Sequence, residues 1–217
     1  MSESERELLI RALMADADPV EPLRPPWRRA MAWLAAACLL GLVMAILGNP
    51  AGALARLTGA PDAWVAELGA MLTAVGAAVA ALASAVPGRS RHWPWAVVPG
   101  LVLWIGASGI GCLRSWVVPG MVVTTDFAES EQCLIFIFGM SLPLSAAMIF
   151  LLRRAAPLRP GLSAALAGLA CAAAAAAMLG FFHEFDASWT DLAVHAVAVG
   201  LVVLANRALG GRLLSAA

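Results

Sequence analysis

The residues of this chain whose types and spacing can do chemistry are two cysteines, Cys112 and Cys133, and a run comprising His183, Glu184, Asp186, Asp191 and His195. Two thiols at one depth can form a disulfide, which persists in an oxidising compartment and responds to oxidants. Closing the loop of about twenty residues between them is worth about 3 kcal/mol in the chain-entropy picture. The Cα atoms must approach within about 7 Å. Cysteine is also a common buried residue, so two packed, unbonded thiols are the other reading. Asp191 and His195 are four apart and share a helix face. With His183 they offer imidazole and carboxylate donors suited to a divalent or heavy-metal ion, a thiolate being a further donor. The structural reading of the same run is that Ser188 caps a helix, Asp191 completes a capping box-like start, and His195 makes one interhelical hydrogen bond. The spacing lacks a closed metal-ligand signature, which favours the structural reading. Cys38 and Cys171 fall in the middle of apolar runs and read as core filler.

The elements that must position these residues are set by hydropathy. Apolar stretches cover 30–48, 65–86, 94–113, 133–152, 161–182 and 191–210. Each is close to the ~20 residues an α-helix needs to cross the hydrocarbon core. Within a bilayer the backbone satisfies its own hydrogen bonds, so helices are the expected form. The predicted fold is all-α, a polytopic six-transmembrane-helix bundle with a short N-terminal cytoplasmic helix. Residues 1–29 form the tail and 30–213 the membrane domain. Hydrophobic residues make up 62% and charged residues 13%, half the share usual in soluble domains, about 25%. Net charge is zero, which implies no bulk attraction to nucleic acid.

Arginine placement orients the bundle. Twelve of the fourteen basic residues, all Arg, lie in the N-terminal tail, loops two and four, and the C-terminus. Only Arg56 and Arg114 fall elsewhere. The positive-inside rule then puts both termini in the cytoplasm. Cys112 ends span three and Cys133 begins span four, so both belong near the outer surface. Spans two and five are rich in Ala; Gly76, Ala80 and Ser84, and Ala164, Gly168, Ala172, Ala176 and Gly180, recur every four residues and predict close helix packing. Pro143 should kink span four. Trp93, Trp95, Trp104, Trp116 and Trp189 lie mostly near span ends and read as interfacial anchors.

The tail opens with Ser2-Glu3-Ser4-Glu5, a helix-capping pattern. Leu9, Ile10, Leu13 and Met14 then form one apolar stripe. Asp18-Pro19, Pro22, Pro25 and Pro26 end it. A helix of three turns is not stable alone in water, so the stripe must dock on lipid, on the bundle or on another protein. Glu3, Glu5, Glu7 and Asp16 against Arg6 and Arg11 disfavour lipid, and helix-in-groove binding to a partner protein fits better. A disordered leader is the bland alternative. No P-loop, HExxH, GxSxG or CxxC is present, so the chain reads as no enzyme and implies no cofactor. A small transporter or membrane thiol oxidoreductase is the competing class. A transporter ought to bury charge near the midplane, where this chain has none, and an oxidoreductase favours paired cysteines.

The stretch Glu7-Leu8-Leu9-Ile10-Arg11-Ala12-Leu13-Met14-Ala15-Asp16-Ala17-Asp18-Pro19-Val20-Glu21-Pro22-Leu23-Arg24-Pro25-Pro26 resembles the start of the NrsF (negative regulator of sigma F) proteins. So do Cys133-Leu134-Ile135-Phe136, Ser141-Leu142-Pro143-Leu144, Leu151-Leu152-Arg153-Arg154-Ala155-Ala156-Pro157, and Phe181-Phe182-His183-Glu184-Phe185-Asp186 with Asp191-Leu192-Ala193-Val194-His195. The resemblance spans essentially the whole chain. It implies a bacterial inner-membrane anti-sigma factor whose tail sequesters an extracytoplasmic-function sigma factor until a periplasmic redox or metal stress signal releases it. Leu9, Ile10, Leu13 and Met14 would then be the bound face. The family's sensing is associated with outward-facing cysteines, one at the start of span four and one in loop five. Cys133 fits the first, whereas loop five carries His183 and no cysteine.

Overall fold

The computed structural model describes residues 2–15, 23–59, 61–117, 127–182 and 189–215, and no strand occurs among them. Helix α1 (Glu3–Ala15) begins with a reciprocal capping box. The Ser2 hydroxyl accepts from the Glu5 N–H at 3.2 Å, while the Glu5 carboxylate accepts from the Ser2 N–H at 2.7 Å. Two otherwise orphaned donors at the helix start are thereby satisfied. The remaining helices are α2 (Pro26–Leu47), α3 (Pro50–Gly59), α4 (Pro61–Ser84), α5 (Val98–Val117), α6 (Phe127–Arg153), α7 (Pro160–Leu179), α8 (Trp189–Ala205) and α9 (Gly211–Ser215). Six stretches are long and apolar enough to cross a membrane: Pro26–Leu47, Asp62–Ser84, Trp93–Arg114, Glu131–Arg153, Pro160–Leu179 and Trp189–Ser215. They correspond to the six expected runs.

Boundaries differ from expectation in three places. Helix α2 starts at Pro26, so Trp27–Arg29 form its first turn instead of an extended leader. Proline at the first helical position has its φ preset and no N–H to satisfy. The connection after α2 holds a helix of its own, α3, capped by the Asn49 side chain, which accepts from the Gly52 N–H at 3.0 Å. The last span continues through a π-helical turn (Asn206–Gly210) into α9. Helix α6 runs unbroken through Pro143.

The Ala-rich helices form the centre. In α7, 78% of the span is buried, against 17% in α2. Alanine gives weak hydropathy but lets backbones approach, which suits a helix surrounded by others. The large aliphatic residues Leu39, Leu42, Ile46, Val102 and Leu204 face outward, as a hydrocarbon surround requires. Helices α4 and α5 pack antiparallel through glycine. A Cβ on Gly69 would lie 2.4 Å from the Trp104 nitrogen, one on Gly100 2.5 Å from the Thr73 nitrogen, and one on Gly76 2.6 Å from the Ala96 oxygen.

Two side chains lock the bundle at the end that carries most of the arginines. Arg29 is buried and donates to the Leu151 carbonyl at 3.0 Å and the Leu82 carbonyl at 3.3 Å. Both carbonyls lie in the last turn of their helices, α6 and α4, where backbone acceptors are orphaned and the helix dipole is negative. Trp33, also buried, donates its indole N–H to the Leu144 carbonyl at 3.0 Å. The opposite end carries Asp62, Glu67, Glu131 and Asp191 and is acidic.

Candidate functional site

No residue of α1 is buried. Leu9, Ile10, Leu13 and Met14 are each at least half exposed, from 50% to 72%, and Leu8 is exposed beside them. The stripe therefore does not dock on the chain's own bundle, one of the three occupants the sequence allowed. Its polar side is held by a surface pair, with Arg11 and Glu7 3.4 Å apart across one turn, worth a few tenths of a kcal/mol, roughly 0.3–0.5. The start of the helix is capped, and its apolar stripe is left uncovered by the described part of the chain.

The two thiols at the acidic end are both buried. Cys133 belongs to a cluster with Ile137 of α6, Ala172, Ala175 and Leu179 of α7, and Ala198 and Val202 of α8. Cys112 sits on α5, which packs mainly on α4, whereas α6, which carries Cys133, packs chiefly on α7 and α8. Cys171 is core filler as expected, but Cys38 is exposed on α2.

The metal-ligand expectation divides. His183, with Glu184, Asp186 and Ser188, lies outside the described residues. Asp191 is buried near the start of α8, and the His195 Nδ1 lies 2.7 Å from the Asp191 main-chain carbonyl. That contact puts the ring proton on Nδ1 and aligns the imidazole with its own helix. Among the described residues, no group of three His, Cys, Asp or Glu is placed to hold a metal ion.

What the sequence did not reveal is a cavity of about 400 Å³ between α4, α5, α7 and α8, which Asp62, Glu67, Asp191 and His195 line together. Its remaining walls are apolar or small, with Trp104 and Ile105 from α5 and Leu179 from α7 among them. At its edge Arg114 pairs with Asp62 at 2.8 Å. One of the two arginines that break the positive-inside pattern therefore has a carboxylate to answer it. The i, i+4 spacing of Asp191 and His195 was the sequence signal for this region. Nothing in the sequence placed Glu67 opposite them, because that depends on how α4 and α8 meet across α5 and α7.

Six apolar helices with an exposed, charged N-terminal helix define a multi-pass α-helical membrane protein. The family model described as "NrsF: Negative regulator of sigma F" matches residues 13–215. The chain belongs to that family. The match begins inside α1, at Leu13, so Leu9 and Ile10 precede it. Comparison with curated proteins and with solved structures finds no match.

Proposed function

We propose that the chain is an anti-sigma factor of a bacterial inner membrane, with both termini in the cytoplasm, and that α1 holds an extracytoplasmic-function sigma factor. The family supplies the negative regulation of a sigma factor. The observation that carries the rest is the exposed row of Leu9, Ile10, Leu13 and Met14 on a helix whose cap is already formed. An apolar stripe at i, i+4 spacing on a helix that carries Glu3, Glu5 and Glu7 against Arg6 and Arg11 is the ligand of a hydrophobic groove rather than of an anionic membrane. In this reading residues 1–29 bind the sigma factor and 30–213 anchor it. The arginine distribution supports the orientation.

Release follows a redox or heavy-metal stress signal arriving from the periplasm at the acidic end. Cys112 and Cys133 are the receiving groups. Modifying either buried thiol adds atoms where none fit, which shifts α5 against α4 or α6 against α7. Helix α4 runs from the acidic end to the Leu82 carbonyl that Arg29 holds, so a shift of α4 reaches the turn that bears the leader.

The test is the pair Leu9→Asp with Leu13→Asp in the full-length protein. Co-purification of a sigma factor should be abolished and its target promoter switched on, with the membrane protein still present at normal level. Unchanged binding removes α1 from the mechanism.

A further inference from the structure

We propose that the cavity between α4, α5, α7 and α8 takes up a compact, uncharged lipophile, a small ring hydrocarbon or its alcohol, from the surrounding bilayer. Its volume, about 400 Å³, falls among small-molecule sites, about 300–1,000 Å³. An engineered apolar cavity of about 150 Å³ stays dry and takes benzene, so this one has room for a larger ring body. Small residues create that room: Ala63, Ala66 and Ala70 of α4 line it with Ala196 and Gly200 of α8. A Cβ added to Gly69 or Gly100 would strike a neighbouring backbone, whereas one added to Gly200 meets nothing within 4 Å. Gly200 thus brings no helices together and leaves space instead, although glycine weakens a helix interior.

The lining is sorted by depth. Asp62, Glu67, Asp191 and His195 stand in the first two turns of α4 and α8. Asp62 is engaged by Arg114, and the His195 ring by the Asp191 carbonyl. Deeper in the bundle the lining is Ala70, Leu101, Trp104, Ile105, Val199 and Gly200. Recognition rests on this apolar part and its shape, not on charge at the outer end, and a ring gains further from the indole of Trp104. The place of the opening makes the bilayer the source. Ile105 of α5 and Ala196 of α8 line the cavity and are nonetheless exposed, and both lie within membrane-crossing stretches. The opening therefore falls between α5 and α8, which touch only slightly, at hydrocarbon depth. Entry by that route selects against charged molecules, which would have to give up their hydration.

The experiment uses the full chain in phosphatidylcholine nanodiscs with no sigma factor present, so its outcome is independent of the role proposed for α1. Equilibrium dialysis measures binding of tritiated 1-naphthylmethanol, with empty nanodiscs of equal lipid content as the blank. The expected result is a saturable component of one molecule per chain above the linear uptake by lipid. Unlabelled (1-naphthylmethyl)trimethylammonium, a permanently charged analogue, should displace it at least tenfold less well than the unlabelled alcohol. Gly200→Leu with Ala66→Leu, which fills the cavity from α8 and α4, should lower affinity at least tenfold while the thermal midpoint holds or rises. Should that variant not fold, 1-bromonaphthalene decides: it should quench tryptophan fluorescence saturably in the unaltered protein, and the saturable part should vanish with Trp104→Phe. The proposal is overturned by the absence of a saturable component or by equal displacement by the charged analogue. Full affinity in the folded, filled variant overturns it too, as does saturable quenching that survives Trp104→Phe.

Discussion

Arg29 illustrates how much one side chain can carry. By sequence it is one of five arginines in the N-terminal stretch, and its charge served only to orient the bundle. In the structure it is buried and caps two helices at once through Leu82 and Leu151. The sequence reads the Pro25-Pro26 pair as extended leader although proline also suits a first helical position, and which carbonyls the guanidinium meets is a tertiary fact. Hydrogen bonds from a charged donor are worth about 1.5–3 kcal/mol each. Arg29→Ala should therefore lower stability by roughly 2–4 kcal/mol, since water entering the site replaces part of the loss. Thermal unfolding of the detergent-purified protein reads this, and an unaltered midpoint would show that the buried contacts contribute nothing net. Trp33, which the sequence did not single out, is buried and donates to the Leu144 carbonyl in the core. The sequence offers Cys112 and Cys133 as a pair at one depth, whereas the neighbours of the helices that carry them, α4 for one and α7 and α8 for the other, follow from packing and not from position along a helix. If they receive the signal, their labelling by a membrane-permeant maleimide should be slow at rest and should change when oxidant or heavy metal induces the regulon. Identical labelling in every inducing condition would exclude them.

Helices were the most legible level. Apolar runs of membrane-crossing length identified all six candidate spans, because hydrocarbon thickness fixes length directly. The small residues recurring every four positions in spans two and five pointed to close packing, and α4 and α7 are indeed the most buried spans. Helix α3 escaped, although Asn49-Pro50 is an N-cap followed by a first-turn proline; its ten residues are too few to register as a span. The α4–α5 seam gives a sharp test of how tightly small residues pack. A Cβ on Gly69 would meet Trp104 backbone at 2.4 Å, while one on Gly106 or Gly139 meets nothing within 4 Å. Gly69→Ala should destabilise by about 1–3 kcal/mol through forced separation of the helices. Gly106→Ala and Gly139→Ala should be neutral or slightly stabilising, since Ala is the better helix former. Thermal midpoints of the three variants, compared side by side, decide whether the seam is as close as described.

At the scale of the whole molecule, the bundle has two unlike ends joined by continuous helices. One bears the arginines, the Arg29 clasp and the turn that leads into α2; the other bears the carboxylates, the thiols and the cavity. A stimulus at one end can alter the other only by changing how the connecting helices pack, and α4 touches both the cavity and the clasp. The account requires α1 to meet its partner on the cytoplasmic side of the membrane. Binding of an extracytoplasmic-function sigma factor from the source cell to membrane vesicles of defined sidedness tests that most directly. Inside-out vesicles carrying the full chain should retain the sigma factor, and those carrying Leu9→Asp with Leu13→Asp should not. Retention by right-side-out vesicles, or equal retention with and without the two substitutions, would contradict the account.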